Sequence, residues 1–330
     1  MEDRVTVLVT FYNQEKYVDR ALNSIIKQKV NFGVRVVVGD DGSTDQTQER
    51  VKKWIDKYPS QIQMIVMSRD GDAHIAGFRA SRNRLNLLNC VNTEYFIFLD
   101  GDDFYINKLK LQKQVDILDK WENRDCIACG HNSLMIYPDG TATPIMSKKI
   151  KEGKYTPRNY WEKLYFHTDS LLIRSDIISN IDFKLLENNF NDNMITFSII
   201  QSGKIYYFKS KMVAYMQTGD GVWTTGKITT NNIRNMFLYD LCNKINPKMK
   251  KETMFRFSGT WKELLKIRKE LDVEELKKLK NEAYEKKLYN SIRWINYNNL
   301  GLLERQKLCF KSVLIWCWSI YRRIILKIVS

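Results

Sequence analysis

The sequence lacks the two glycine motifs by which many nucleotide-binding α/β proteins are identified. It contains no Gly-x-Gly-x-x-Gly turn and no Gly-Lys-Ser or Gly-Lys-Thr phosphate loop. In those motifs glycine lets the backbone approach a phosphate, which then sits at a helix N-terminus. The usual dinucleotide-binding and P-loop classes therefore lose support.

A disulfide framework is also missing, because the six cysteines are scattered without regular spacing. No leader-like segment precedes the first strand pattern, so we expect a reduced, cytoplasmic location. Cys126, Cys129 and His131 form a Cys-x-x-Cys-x-His fragment. A zinc site needs a fourth ligand at suitable spacing, and none is nearby, so a buried strand is the favoured interpretation.

The most informative segment that is present is an apolar run that ends in three carboxylates. Phe96 to Leu99 indicates a buried strand, and Asp100, Asp102 and Asp103 follow it, interrupted by Gly101. Three adjacent carboxylates repel one another unless a cation lies between them. Oxygen ligands of this kind suit Mg²⁺ or Mn²⁺. The alternative is an Asx-rich turn with no ligand.

A second acidic turn lies upstream. The strand-like run 34–38 ends in Gly-Asp-Asp-Gly-Ser-Thr-Asp at 39–45, and a helical pattern follows. In an open parallel sheet, ligands bind outside the carboxyl ends of the strands. Two acidic strand ends therefore predict one ligand-binding crevice.

The first half of the chain alternates strand and helix patterns. Runs 5–10 and 62–66 indicate further strands, and apolar spacing at 18–26, 80–90 and 111–118 indicates helices. This alternation predicts an α/β fold with a mostly parallel sheet.

Four segments in this order resemble the family 2 glycosyltransferases, which have the GT-A nucleotide-sugar-binding fold. The resemblance covers residues 4–118 well and 160–223 loosely. The segments are Val7-Leu8-Val9-Thr10-Phe11-Tyr12-Asn13, Val36-Val37-Val38-Gly39-Asp40-Asp41-Gly42-Ser43-Thr44-Asp45, Ala80-Ser81-Arg82-Asn83 and Phe98-Leu99-Asp100-Gly101-Asp102-Asp103.

The resemblance implies a role for each matching residue on the donor side of the site. Asp100 is expected near the ribose and diphosphate, Asp102 as the ligand of Mg²⁺ or Mn²⁺, and Arg82 as a further positive group near the donor. A loose surface ion pair is the alternative for Arg82. The remaining matching positions, expected to contact the uridine, are Thr10, Tyr12 and Asp41.

The resemblance also places an acidic catalytic base ahead of a helix near residue 190. Asp192 matches that position, although Asn191 stands where the family often has Glu. Transfer to an acceptor hydroxyl requires such a base within hydrogen-bond reach. Capping of the helix over 193–202 is the alternative role for Asp192. Asp169 is the second candidate base, and Asp182 is a weaker one.

A later segment departs from the family. Tyr215 fits a pattern in which Arg and His commonly follow, but this chain has Met216 and Gln217 there. A histidine contact to the donor phosphates from that segment is therefore not expected.

Composition changes after about residue 230, where strand patterns give way to charged amphipathic helix. We expect a GT-A domain over 1–228 and a helical extension over 229–330. Ten uncharged residues separate Lys311 from Arg322, which is too short a run to cross a bilayer, a span of about 20 residues. Aromatic and basic residues within 308–330 instead favour a helix lying in the membrane interface, and a helix packed on the protein's own core is the alternative.

Together these patterns predict a metal-dependent, inverting glycosyltransferase that uses a nucleotide-sugar donor, most simply UDP-linked. The net charge of +15 suits a position at the inner face of the membrane and a glycan or lipid-linked acceptor, as in relatives that build bacterial capsule or lipopolysaccharide. No nucleic-acid-binding motif accompanies the charge. A nucleotidyltransferase and a non-catalytic membrane adaptor are the alternatives; the first would release pyrophosphate rather than UDP.

Overall fold

The computed structural model describes residues 1–69, 76–164, 166–218, 228–267 and 272–296, together with the single helical positions 310, 314 and 317. The chain divides into two compact units, Met1–Val222 and Trp223–Ser330. The domain boundary that the sequence predicts after residue 228 stays a prediction.

The first unit is built on a sheet whose strand order is β3-β2-β1-β4-β9-β6-β10-β5, with β7 beside β6 and β8 beside β10. Strands β3, β2, β1 and β4 run parallel to one another, and β9 pairs antiparallel with β4 and β6. The strands are β1 Asp3–Phe11, β2 Gly33–Asp40, β3 Ile62–Val66, β4 Tyr95–Asp100, β5 Phe104–Tyr105, β6 Cys126–Ile136, β7 Ala142–Pro144, β8 Gly153–Tyr155, β9 Leu171–Arg174 and β10 Lys204–Met216.

Helices cover the sheet, and the amphipathic ones present an apolar face to it. In α1, for example, Val18, Leu22 and Ile25 are buried at the i, i+4, i+7 spacing of one helix face. The helices of this unit are α1 Val18–Ile26, α2 Thr47–Lys57, α3 Ala76–Leu88, α4 Lys110–Asp119, α5 Pro157–Lys163, α6 Phe183–Leu186 and α7 Asp192–Ile200. The predicted α/β class is confirmed.

Strand register brings the two acidic turns together. Thr10, near the end of β1, pairs with Gly39 of β2 on one side and with Asp100 of β4 on the other. Both acidic segments therefore lie at the same edge of the parallel half of the sheet, flanking the end of β1.

The described part of the second unit is helical, as expected for the region after the sheet. Its helices are α8 Ile228–Ile245, α9 Lys250–Ile267, α10 Val273–Glu285 and α11 Tyr289–Ile295. Within this unit the buried Asp240 carboxylate accepts hydrogen bonds from Asn290 Nδ2 at 2.7 Å and from Ser291 N at 3.0 Å, which ties α11 to α8.

Candidate active site at the carboxyl ends of the parallel strands

Two of the residues expected on the donor side, Thr10 and Asp41, lie at the carboxyl end of β1 or directly beside it. Thr10 Oγ1 donates a hydrogen bond of 3.2 Å to Asp100 Oδ1. Asp41 N donates to Phe11 O at 2.9 Å, so the Asp41 side chain starts from a fixed backbone position directly beside β1.

Two arginines surround the expected uridine contacts. Arg79 Nη2 lies 2.6 Å from Asp41 Oδ1, and both side chains are buried. Arg69 Nη2 lies 3.4 Å from Asp41 Oδ2, and the Arg69 guanidinium carbon lies 3.9 Å from the centre of the Tyr12 ring. Tyr12 is 41% exposed, with the Arg69 guanidinium over one face of its ring. The structure thus joins Tyr12 and Asp41 through Arg69.

The neighbouring Asp40 has a structural role in the same turn. Its Oδ1 accepts from Ser43 N at 2.8 Å and from Gln48 Nε2 at 2.8 Å. Gly42 adopts φ 72°, a left-handed conformation that favours glycine. The two aspartates of the Asp-Asp-Gly sequence therefore have different roles, because Asp40 stabilises the turn and Asp41 contacts the arginines.

Asp100, at the end of β4, is held by a residue that the sequence interpretation missed. Arg84 Nη2 lies 2.6 Å from Asp100 Oδ1 and 3.9 Å from Asp192 Oδ1. Burial opposes the charge of Arg84, but Asp100 and Asp192 outweigh this effect and raise its pKa. Arg84 therefore links the expected donor-side carboxylate with the expected base.

Gly101 is required by close packing. A Cβ atom added there would lie 2.2 Å from Phe11 Cδ1 and 2.5 Å from Gln14 Oε1. The absence of a side chain at Gly101 thus leaves room for the Phe11 ring, which packs against the turn that carries the two following carboxylates.

Asp102 and Asp103 differ in exposure. Asp102 is partly exposed, and burial together with the charge of Asp100 raises its pKa to about 6. Asp103 is fully buried, and its Oδ1 accepts a 2.7 Å hydrogen bond from Met216 N. Burial and the nearby Asp169 raise the Asp103 pKa well above its usual value. Asp102 is thus the member of this pair that is open to the crevice.

A buried histidine lies at the centre of the carboxylates. His167 Nδ1 lies 3.2 Å from Asp169 Oδ2 and 3.8 Å from Asp103 Oδ2, whereas Nε2 lies 3.5 Å from Asp192 Oδ2. Its ring centre is 4.0 Å from that of Tyr215. Burial lowers the His167 pKa, but Asp169 and Asp192 outweigh this and raise it to about 10. The imidazole therefore lies buried among three carboxylates that favour its protonated form.

Asp192 is the first residue of α7 and is a partly exposed member of this cluster, with 19% of its side chain accessible. Burial raises its pKa even though His167 and Arg84 act in the opposite direction. The helix is capped by the side chain of Asn191, whose Oδ1 accepts from Met194 N at 3.1 Å. Asp192 is accordingly not the side-chain cap, which was its alternative role.

The other candidate bases occupy different environments. Asp169 is fully buried beside His167. Asp182 caps α6, its Oδ1 accepting from Leu185 N at 2.9 Å. Among the three aspartates, Asp192 combines membership of the cluster with exposure to solvent.

Arg82 lies on the same helix as Arg84 but has other partners. Its Nε lies 3.3 Å from Glu187 Oε1 and donates a 3.2 Å hydrogen bond to Asn188 Oδ1. These partners precede α7, so Arg82 connects α3 to the segment that leads to Asp192.

Among the described residues, one group of side chains has the spacing of a metal site: Asp100, Asp103 and His167, whose ligand atoms lie within 4.8 Å of one another. It includes neither cysteine of the Cys-x-x-Cys-x-His fragment.

Sequence reasoning missed Arg79, Arg84 and His167. The signal for the arginines was present, because α3 carries Arg79, Arg82 and Arg84 within six residues before an acidic strand. For His167, the signal in the sequence was its His-x-Asp spacing to Asp169. Neither signal says which side chain turns towards the strand ends.

Most of the expected membrane-interfacial tail, 308–330, lies outside the described residues. Within the described part of the chain, no helix combines the length and apolar character needed to cross a bilayer.

Comparison with known proteins places this geometry in a family. The family model for glycosyl transferase family 2 matches residues 6–181. The processive diacylglycerol beta-glycosyltransferase of Mycoplasma pneumoniae is 29% identical over 202 residues, which cover 59% of this chain and 56% of that protein. Matches to uncharacterised proteins of Mycobacterium cover 60% of those proteins, so the chain spans little more than half the length of such relatives.

Solved structures share the fold. Residues 1–349 of Staphylococcus aureus TarS, in complex with UDP-GlcNAc, superpose with a TM-score of 0.63 at 18% identity, covering 89% of this chain and 82% of that one. GalNAc-T7 with UDP, GalNAc and Mn²⁺ superposes with a TM-score of 0.52 at 14% identity, covering 89% of this chain and 56% of that one. The fold is GT-A. Because the family model covers more than half of its residues, this chain belongs to glycosyl transferase family 2.

Proposed function

We propose that the protein transfers a sugar from a UDP-linked donor to a hydroxyl group of a glycan or lipid-linked acceptor, with inversion at the sugar carbon. The observation that carries this proposal is the link through Arg84, whose Nη2 lies 2.6 Å from Asp100 and 3.9 Å from Asp192. One guanidinium thereby holds the donor-side carboxylate and the base in a fixed relation, and such positioning accounts for a large part of catalysis.

The donor is assigned to the β1 edge of the crevice. The exposed Tyr12 ring offers a stacking surface, and Asp41 offers carboxylate oxygens beside it. Thr10 and Asp100 follow along the same edge, where the ribose and diphosphate would lie. Arg82 is proposed as a further positive group towards the donor. The UDP-GlcNAc complex of TarS supports a UDP-linked donor for this shared fold.

A divalent cation, Mg²⁺ or Mn²⁺, fits the acidic turn after β4. Asp102 is the proposed ligand, because it is partly exposed and because burial and the charge of Asp100 raise its pKa to about 6. A cation would relieve the repulsion between the two carboxylates. Asp100, Asp103 and His167 form the neighbouring set with ligand spacing. When bound, such an ion neutralises charge on the departing diphosphate. The Mn²⁺ in the GalNAc-T7 structure supports a metal in this fold.

Asp192 is the proposed general base. The acceptor O–H bond breaks and its proton passes to the Asp192 carboxylate. The acceptor oxygen then forms the new bond to the sugar carbon, while the bond from that carbon to the diphosphate oxygen breaks and its electron pair leaves with UDP. The raised pKa of Asp192 makes it a stronger base than an ordinary surface aspartate.

The acceptor is proposed as a glycan or a lipid-linked chain reached from a membrane surface. The net charge of +15 suits anionic headgroups or an anionic polymer. The diacylglycerol acceptor named for the Mycoplasma relative supports the lipid-linked class.

The test is Asp192→Asn in the full chain, with donor turnover measured as UDP release. We expect kcat to fall by about 10²–10⁴-fold, the usual contribution of a general base, with donor KM little changed. Asp182→Asn is the matched control, because it removes a helix-capping carboxylate and should leave kcat unaltered. If Asp192→Asn turned over normally while Asp169→Asn did not, the base would be Asp169.

A further inference from the structure

We propose that His167 is a positioning residue for the Asp192 carboxylate and that Asp169 holds the His167 ring in place. This inference rests on the proposed function, which assigns the base to Asp192. The neighbouring Asn191 does not position the base, because its side-chain oxygen accepts a hydrogen bond from Met194 N in the helix cap.

Among the residues that the structure describes, three groups face the Asp192 carboxylate. Arg84 Nη2 is 3.9 Å from Oδ1, but the same nitrogen lies much closer to Asp100. Thr168 Oγ1 is 3.5 Å from Oδ1 and also 3.3 Å from Asp169 Oδ1. His167 Nε2 faces the other oxygen, Oδ2, at 3.5 Å. His167 is therefore the group that restrains the Oδ2 side of the base.

The His167 ring is itself restrained on every side that the structure describes. Nδ1 faces Asp169 at 3.2 Å and Asp103 at 3.8 Å, and the ring packs on Tyr215. The backbone carbonyl oxygen of His167 accepts hydrogen bonds from Ser170 N at 2.9 Å and Ser170 Oγ at 2.7 Å. A ring that packs on Tyr215, has carboxylates facing both nitrogens and has its backbone fixed by Ser170 can limit the rotamers of the carboxylate that it touches.

The geometry favours this role over direct metal binding. Both ring nitrogens face carboxylate oxygens at 3.2 to 3.8 Å, so the ring lies within a chain of carboxylates, although it also has ligand spacing to Asp100 and Asp103. The Nδ1 atom, Asp169 Oδ2 and Asp103 Oδ2 are buried and lack well-formed hydrogen bonds. Such contacts often tighten only when substrate is bound. The arrangement is a carboxylate–imidazole–carboxylate chain whose exposed end is the base.

The experiment compares His167→Gln and Asp169→Asn with His131→Gln in the full chain. His131 is a matched control, because it is a fully buried imidazole whose Nδ1 lies 2.8 Å from the backbone oxygen of Asn132 and whose ring faces Phe208. We expect kcat for UDP release to fall about 10²-fold in His167→Gln, the usual cost of displacing a reacting group by about 1 Å, and to fall in the same direction in Asp169→Asn. His131→Gln should retain the wild-type kcat.

Affinity for Mn²⁺ with UDP, measured by calorimetry, separates positioning from ligation. We expect the affinity for Mn²⁺ with UDP to stay within about twofold in His167→Gln, because His167 is proposed to position the base and not to bind the donor or the metal. Loss of Mn²⁺–UDP affinity would make His167 a metal ligand instead, and an unchanged kcat would also overturn the proposal.

A second measurement does not depend on turnover or on the folding of the His167 variants. The sequence has three histidines, so the ring nitrogens of His167 can be assigned by ¹⁵N NMR. Asp192→Asn should shift the Nε2 resonance of His167 and Asp169→Asn its Nδ1 resonance, with His131 unaffected. No response of Nε2 to Asp192→Asn would end the proposal, whereas full activity of Asp192→Asn would instead end the assignment of the base.

Discussion

Arg84 holds Asp100 through a single nitrogen, with Nη2 2.6 Å from one carboxylate oxygen and 2.9 Å from the other. The same nitrogen also lies 3.9 Å from Asp192 Oδ1, so one atom of the guanidinium faces both carboxylates. The pair lies where β4 ends, so the orientation of Asp100 towards the crevice depends on a helix that comes earlier in the chain.

Replacing Arg84 by Gln should therefore damage the site more than replacing Arg82 by Gln. We expect Arg84→Gln to lower kcat by about 10–100-fold, because two carboxylates lose their shared counter-charge in a largely buried place. For Arg82→Gln we expect mainly a higher donor KM, with a small effect on stability of about 0–1 kcal/mol, since its ion pair with Glu187 is partly exposed. Steady-state kinetics of the two variants provide the comparison. Equal kcat values would contradict it.

Asp102→Ala should abolish transfer and leave the fold intact. The carboxylate lies in the turn after a strand and serves a cation rather than the apolar core, so the melting temperature should change little. Excess EDTA should have the same effect on the wild-type protein, and Mg²⁺ or Mn²⁺ should restore activity. Asp139→Ala, which removes an exposed turn carboxylate, is the control. Full activity of Asp102→Ala, or of wild type in EDTA, would refute the metal role.

The buried His131 predicts a pH dependence of stability. Burial and the charge of Lys110 hold its pKa well below the usual value, so the ring is neutral in the folded state. An unfolded histidine binds a proton below about pH 6.5. The stability contribution is therefore complete above that pH and declines as pH falls through it, by up to about 1.4 kcal/mol per pH unit.

Urea unfolding at pH 8 and pH 5 measures this effect as a difference between proteins. The wild type should lose more free energy of unfolding on acidification than His131→Gln does. Identical losses would show that His131 does not contribute to acid sensitivity.

Deleting residues 308–330 should release the protein from anionic vesicles while donor hydrolysis survives, because the proposed donor residues lie within 10–103. Aromatic and aliphatic side chains would enter the interface, and basic residues would add about 1 kcal/mol each at anionic headgroups. Salt should weaken the binding. Co-sedimentation of full and truncated chains at low and high salt tests this, and equal sedimentation of both would refute the membrane role.

The sequence predicts the parallel half of the sheet, because those strands carry their own signal, but not the antiparallel pairings of β5, β7, β8 and β9. Val5 to Val9 and Phe96 to Leu99 are buried on both faces, as continuous apolar runs in parallel strands are. Their carboxyl ends could also be predicted, since the apolar runs stop at aspartates and the edge of a parallel sheet collects such ends.

The partners of those aspartates could not be predicted, because they depend on side-chain direction and distant packing. Arg82 and Arg84 are two residues apart, and helical spacing does not say which one turns towards Asp100. The role of His167 depends on contacts with Asp103 and Asp192, which lie 64 residues before it and 25 after it in the chain.

The hydrogen bond from Met216 N to Asp103 has a consequence for the order in which the protein becomes functional during its synthesis. Asp103 leaves the ribosome more than a hundred residues before its backbone partner at the end of β10. Domains are made from the N-terminus onwards. The first four strands can pair early, but the buried floor beneath the acidic turn is completed only by the last strand of the sheet. In a nascent chain, the carboxylates after β4 therefore lack part of their buried surroundings. Interrupted products that end before β10 should lack the assembled site.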